Sequence, residues 1–68
     1  MEILREYDSI KRRVRLITEN GFYKVQTRFS LVFKGVHRWT PWVTLKELRE
    51  DSRGSEGIVL NTYKECIK

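Results

Sequence analysis

Lys11, Arg13 and Arg15 recur at every second position in one stretch of the chain, and Lys24 and Arg28 keep even spacing in the next. Residues two apart share a face of an extended backbone. Each set therefore projects from one side of a strand. Guanidinium forks match pairs of carboxylate or phosphate oxygens, so the chemistry this spacing offers is anion binding. A second cluster, His37-Arg38-Trp39-Thr40-Pro41-Trp42, sets two indoles three residues apart around a proline. Trp and Arg are the types most enriched at binding hot spots, and an exposed indole can stack an unpaired base. The plainer alternative is that both indoles cover one edge of a small core. The candidate contact residues are Lys11, Arg13, Arg15, Lys24, Arg28, Arg38, Trp39 and Trp42.

Catalytic chemistry needs convergent groups, and none are spaced for it. His37 is the one histidine and Cys66 the one cysteine, too few for a tetrahedral zinc site or an intrachain disulfide. Gly54 and Gly57 lack the spacing of a phosphate-cradling loop. The acids Glu47, Glu50 and Asp51 alternate with Lys46 and Arg49 as a solvated patch does. The expectation is a protein that is not an enzyme and carries no cofactor or metal.

The chain has 68 residues, a net charge of +5 and a pI near 9.7. That length makes one small domain, residues 1–68, with a small core and a thin stability margin. The charge favours acidic partners: nucleic acid, anionic lipid or an acidic protein surface, alone or in a protein–nucleic-acid complex. Self-association into a homo-oligomer is a further way to gain stability. No signal peptide is read in Met1 to Asp8, and no apolar run approaches the roughly 20 residues that span a bilayer, so no membrane partner is expected. A lone thiol fits a reducing, cytoplasmic compartment.

Asn20-Gly21 positions the basic residues. Both types accept positive φ, as a two-residue type I′ hairpin turn requires. Strand chemistry flanks it, from Ile10 to Glu19 and from Phe22 to Phe33. The turn sets the register: Glu19 faces Phe22, Thr18 faces Tyr23, Leu16 faces Val25, Val14 faces Thr27, Arg12 faces Phe29 and Ile10 faces Leu31. One face then carries Ile10, Val14, Leu16, Tyr23, Val25, Phe29, Leu31 and Phe33, and is read as the core face. Arg12 on that face can snorkel or lie over Phe29. The other face carries the cations, with Arg13 opposite Arg28 and only Glu19 to compensate. It serves either as a solvated surface or as an anion-binding platform, and a two-stranded ribbon also fits a DNA major groove.

Gly35 is read as ending the second strand and opening a connection that holds the tryptophans. The stretch 42–49 reads as a third strand, with Val43 and Leu45 inward, or as a short helix behind the capping box Thr44-Leu45-Lys46-Glu47. Asp51 to Ser55 is turn chemistry. Ser55 can cap a terminal helix over 55–67, whose apolar stripe is Val59, Leu60, Tyr63, Cys66 and Ile67, although Gly57 and the β-branched Ile58 and Val59 leave a strand from Gly57 to Tyr63 as the alternative. Glu2 to Asp8 is either a helical turn or an extension of the first strand. The fold class is α+β: an antiparallel hairpin or three-stranded sheet (10–19, 22–33, possibly 42–49) packed by a C-terminal helix.

In layout, the basic hairpin (Ile10 to Phe33), the Trp-rich connection (His37 to Trp42) and the brief terminal helix (Ser55 to Lys68) resemble short bacteriophage accessory proteins. The resemblance implies a small modulator that docks on a host protein or protein–nucleic-acid complex in the host cytoplasm and inhibits or redirects it. It assigns no functional residues. Direct, sequence-nonspecific nucleic-acid binding is the second expectation, and a structural or oligomeric subunit is the third.

Overall fold

A computed structural model describes residues 1–68. The protein is α+β: a five-stranded antiparallel sheet packed on one face by a C-terminal helix. In chain order the elements are β1 (Glu2–Asp8), β2 (Arg12–Glu19), β3 (Phe22–Phe33), β4 (Val36–Trp39), β5 (Val43–Arg49) and α1 (Ser55–Cys66). β3 is the spine. It pairs with β2 along one edge, and along the other with β5 near its start and β4 near its end. β1 closes the sheet outside β2.

The turn at Asn20-Gly21 forms as its residue types require, with φ of 53° and 81°. The expected register follows from Glu19↔Phe22 to Arg12↔Phe29. The Ile10–Leu31 pair does not form. β2 begins at Arg12, because Ser9 turns the chain: its Oγ donates to the Arg12 carbonyl at 2.8 Å and accepts from the Arg12 N–H at 3.0 Å. Ile10 is left exposed in that turn.

Four elements differ from the sequence reading. Glu2–Asp8 is a separate strand, with a register shift between Ile3 and Arg5. The connection after Gly35 is a second tight hairpin: Lys34 and Gly35 take φ of 51° and 78°, and Val36–Trp39 pairs back onto β3. Val43–Arg49 forms a strand, one of its two readings, but the register shifts between Val25 and Gln26, so Leu48 turns toward the helix while Val43 and Leu45, expected inward, stay exposed. Ser55 does not cap the helix. Gly54, at φ 78°, occupies that position and Ser55 is the buried first residue of α1.

The core lies between α1 and the sheet. Val14, Leu16, Val25, Val59 and Tyr63 form it, with Tyr7, Tyr23, Leu48, Leu60, Cys66 and Ile67 packed around. A helix of 12 residues is about 18 Å long, whereas a 12-residue strand runs about 40 Å. α1 therefore covers only the first half of β3. Phe29, Leu31 and Phe33, expected in the core, project past it and are exposed. The molecule measures 47 × 24 × 15 Å, drawn out by the β3–β4 arm.

Burial raises the phenol of Tyr63 above its ordinary value, with Arg5 opposing and Glu6 and Asp8 adding to the effect. The folded state thus holds this proton longer than the unfolded chain does. Its contribution to stability is complete below about pH 10 and is lost as pH rises through the folded value. Urea midpoints measured from pH 8 upward should fall above about pH 10, and Tyr63→Phe should flatten that fall.

Candidate functional site: an arginine–tryptophan face

Strand alternation puts Arg13, Arg15, Lys24, Gln26 and Arg28 on the sheet face opposite α1, as β2 and β3 pair Arg13 with Arg28 and Arg15 with Gln26. The tryptophans reach the same face by an irregular route. Trp39 lies opposite Ser30, two residues beyond Arg28. In an unbroken strand, Trp42 would point the other way, because three is an odd spacing. Thr40-Pro41 breaks the strand and resets the alternation. Thr40 holds the break in place: its N–H donates to the Phe29 carbonyl at 2.8 Å, and its Oγ1 accepts from the Phe29 N–H at 2.9 Å.

The two indoles and three guanidiniums then interleave. The Arg13 guanidinium carbon is 4.4 Å from the Trp39 ring centre, and that of Arg15 is 4.0 Å from Trp42. Arg28 lies between the rings, 5.3 Å from Trp39 and 4.8 Å from Trp42. Such contacts contribute about 0.5–1 kcal/mol each at partly exposed sites. Arg15 Nε donates to Gln26 Oε1 at 2.8 Å, and Gln26 Nε2 donates to Thr44 Oγ1 at 3.1 Å, tying β2, β3 and β5 together across this face.

Charge on the face is unevenly compensated. The hairpin alone offers only Glu19 as a counter-charge, but β1 and β5 bring more. Asp8 lies 3.5 Å from Arg13 Nε, an ion pair without hydrogen-bond geometry. Glu6 lies opposite Arg15. Lys24 is held by Glu19 at 3.3 Å and Glu47 at 3.7 Å. Arg28 has no carboxylate within 4 Å, and its Nε is buried without a hydrogen-bond partner. Burial first, and then the charge of Arg28, pushes the Arg15 guanidinium below its ordinary value, while Glu19 and Glu6 oppose the shift. The cluster repels itself, and an anion seated at Arg28 would relieve it.

Of the eight expected contact residues, five meet here: Arg13, Arg15, Arg28, Trp39 and Trp42. Lys24 is neutralised close by. Lys11 is exposed near the base of the arm, beside Ser30 and His37. Arg38 pairs with Leu31 and projects from the opposite face. Gln26, set opposite Arg15 by the hairpin register, and Thr44 brace the cluster, and the part of Thr44 appears only through the register across β5. His37 shares a hydrogen bond between its Nδ1 and Ser30 Oγ at 3.2 Å. No group of three His, Cys, Asp or Glu side chains is placed to hold a metal ion, and no helix is long and apolar enough to cross a membrane. No protein-family model, curated protein or solved structure matches this chain.

Proposed function

We propose that the chain is a non-catalytic binding module that docks on an acidic macromolecular surface through Arg13, Arg15 and Arg28 and the indoles of Trp39 and Trp42. The observation that carries this reading is Arg28, held between two indoles beside two further arginines and without a carboxylate of its own. Stacking fixes the guanidinium planes beforehand, so less side-chain entropy is lost when an oxyanion binds. The partner is an acidic protein surface or a protein–nucleic-acid complex. The likeness in layout to phage accessory proteins gives the consequence: the module modulates or inhibits the partner it covers.

Direct nucleic-acid binding is the second reading, favoured by the three clustered guanidiniums, whose forks match phosphate oxygens. Titration with polyglutamate and with random-sequence single- and double-stranded DNA, each at two salt concentrations, separates the two. Protein docking predicts salt-sensitive binding to polyglutamate, with DNA no tighter at equal charge. Nucleic-acid binding predicts a clear preference for DNA, with a log K slope of about −3 on the duplex from three phosphate contacts. Failure to bind either polymer at low salt sinks both readings.

A further inference from the structure

The arm built from the end of β3 and all of β4 leaves an apolar face that nothing in the chain covers. Phe29 is 45% exposed, Leu31 57%, Phe33 74% and Val36 53%, and Ile10, at 81%, borders them. Alternation puts Phe29, Leu31 and Phe33 on the same face as Val25 and α1, opposite the arginine–tryptophan cluster. With Ile10 included, these residues leave roughly 500 Å² of mostly apolar surface open, within the range of the largest patches monomeric proteins expose.

We infer that this face is a twofold interface with a second copy of the chain. The residues along β3 are symmetric about Leu31: an aromatic two positions before it, Phe29, and another two positions after it, Phe33. A twofold axis passing at Leu31 sets Phe29 of each copy against Phe33 of the other and Leu31 against Leu31. An isologous contact requires this kind of self-complementarity. The surface belongs to a sheet, and two apolar sheet faces pack about 10 Å apart with their side chains interdigitated. Leu31, Phe33 and Val36, with Lys34 and Arg38, line a shallow hollow that can take such a side chain. Covering the face on both copies would remove about 1,000 Å² from water, the size of a weak, reversible association.

Charge distinguishes this occupant from a foreign acidic protein. Arg12, Lys34 and Arg38 border the patch, and no acid occurs between Glu19 and Glu47. In a twofold pair these cations sit at the rim and repel, so added salt tightens the dimer. An acidic partner would be released by the same salt. The arginine–tryptophan faces of the two copies would look outward on opposite sides, free to dock. The inference does not depend on what they bind.

Sedimentation equilibrium tests it on the full chain, up to about 200 μM. The wild type should sediment as a dimer of the 8.2 kDa chain. Its dissociation constant should fall as sodium chloride rises from roughly 0.05 M to 0.5 M. Leu31→Thr with Phe33→Thr should weaken the dimer at least about tenfold while keeping strand propensity, with circular dichroism reporting the fold. Phe33→Thr alone serves if the double variant does not fold. Arg28→Gln, on the other face, should leave the dimer unchanged. A wild type that stays monomeric at the highest concentration overturns the inference and leaves the face to a foreign partner. A folded threonine variant that dimerises as tightly as the wild type overturns it as well.

Discussion

Reversing two charges, Arg13→Glu with Arg28→Glu, should leave a folded protein that has lost its affinity for anionic partners by at least about a hundredfold. The magnitude comes from the pairs involved. Truncating one partner of a desolvated charge pair costs about 2–5 kcal/mol, and here two cations become anions in the same cluster. The fold should survive, because the hydrogen bond from Arg15 to Gln26 and the whole α1 core lie outside the change. The variant does lose the stacking of both residues on Trp39 and Trp42, and it puts a new carboxylate beside Asp8 where the Arg13 guanidinium had been. A destabilisation of about 1–2 kcal/mol is expected. Binding to polyglutamate or DNA, measured beside a urea denaturation curve, checks both parts. The milder Arg28→Gln should weaken binding with little cost in stability, because it removes the charge that repels Arg15.

Leu16→Ala should come close to unfolding the protein. Leu16 is 3% exposed and sits in a core of five side chains between sheet and helix. A buried Leu→Ala change costs about 2–5 kcal/mol. A domain of 68 residues has roughly 3–10 kcal/mol in total. The urea midpoint should fall by a third or more, and binding should fall with it, since β2 carries Leu16 together with Arg13 and Arg15. Ile58→Ala, on the exposed side of α1, should change the midpoint little by comparison. Equal effects from the two substitutions would mean that the helix packs by a different face.

The site is legible in the sequence where local chemistry and pattern agree. Asn20-Gly21 specifies its own turn, and the turn fixes every partner from Arg13↔Arg28 outward. The apolar stripe of α1 likewise reads directly from its spacing. The second hairpin is hidden because Lys34 has no intrinsic preference for positive φ, so Gly35 reads as a strand end rather than as half of a turn. β1 is hidden because it is an edge strand exposed nearly throughout, with a register shift that breaks its alternation. The counter-charges Glu6 and Asp8 are hidden with it. The position of Trp42 is out of reach for a related reason. Its face depends on how Thr40-Pro41 interrupts the strand, and that is set by the Phe29–Thr40 hydrogen bonds rather than by spacing. The apolar run through Phe33 reads as core because sequence shows the pattern but not how far a 12-residue helix reaches.

Tryptophan emission during anion titration tests the proposed docking face most directly, since Trp39 and Trp42 are the chain's two tryptophans and both lie near Arg28. Polyglutamate or an oligonucleotide added at low salt should shift the emission saturably. The shift should vanish at about 0.5 M salt, require at least about tenfold more polymer in Arg28→Gln, and persist in Lys64→Gln on the distant helix. Emission that does not change on adding either polymer, or an Arg28→Gln curve that overlays the wild type, would contradict an anion seat between the two indoles.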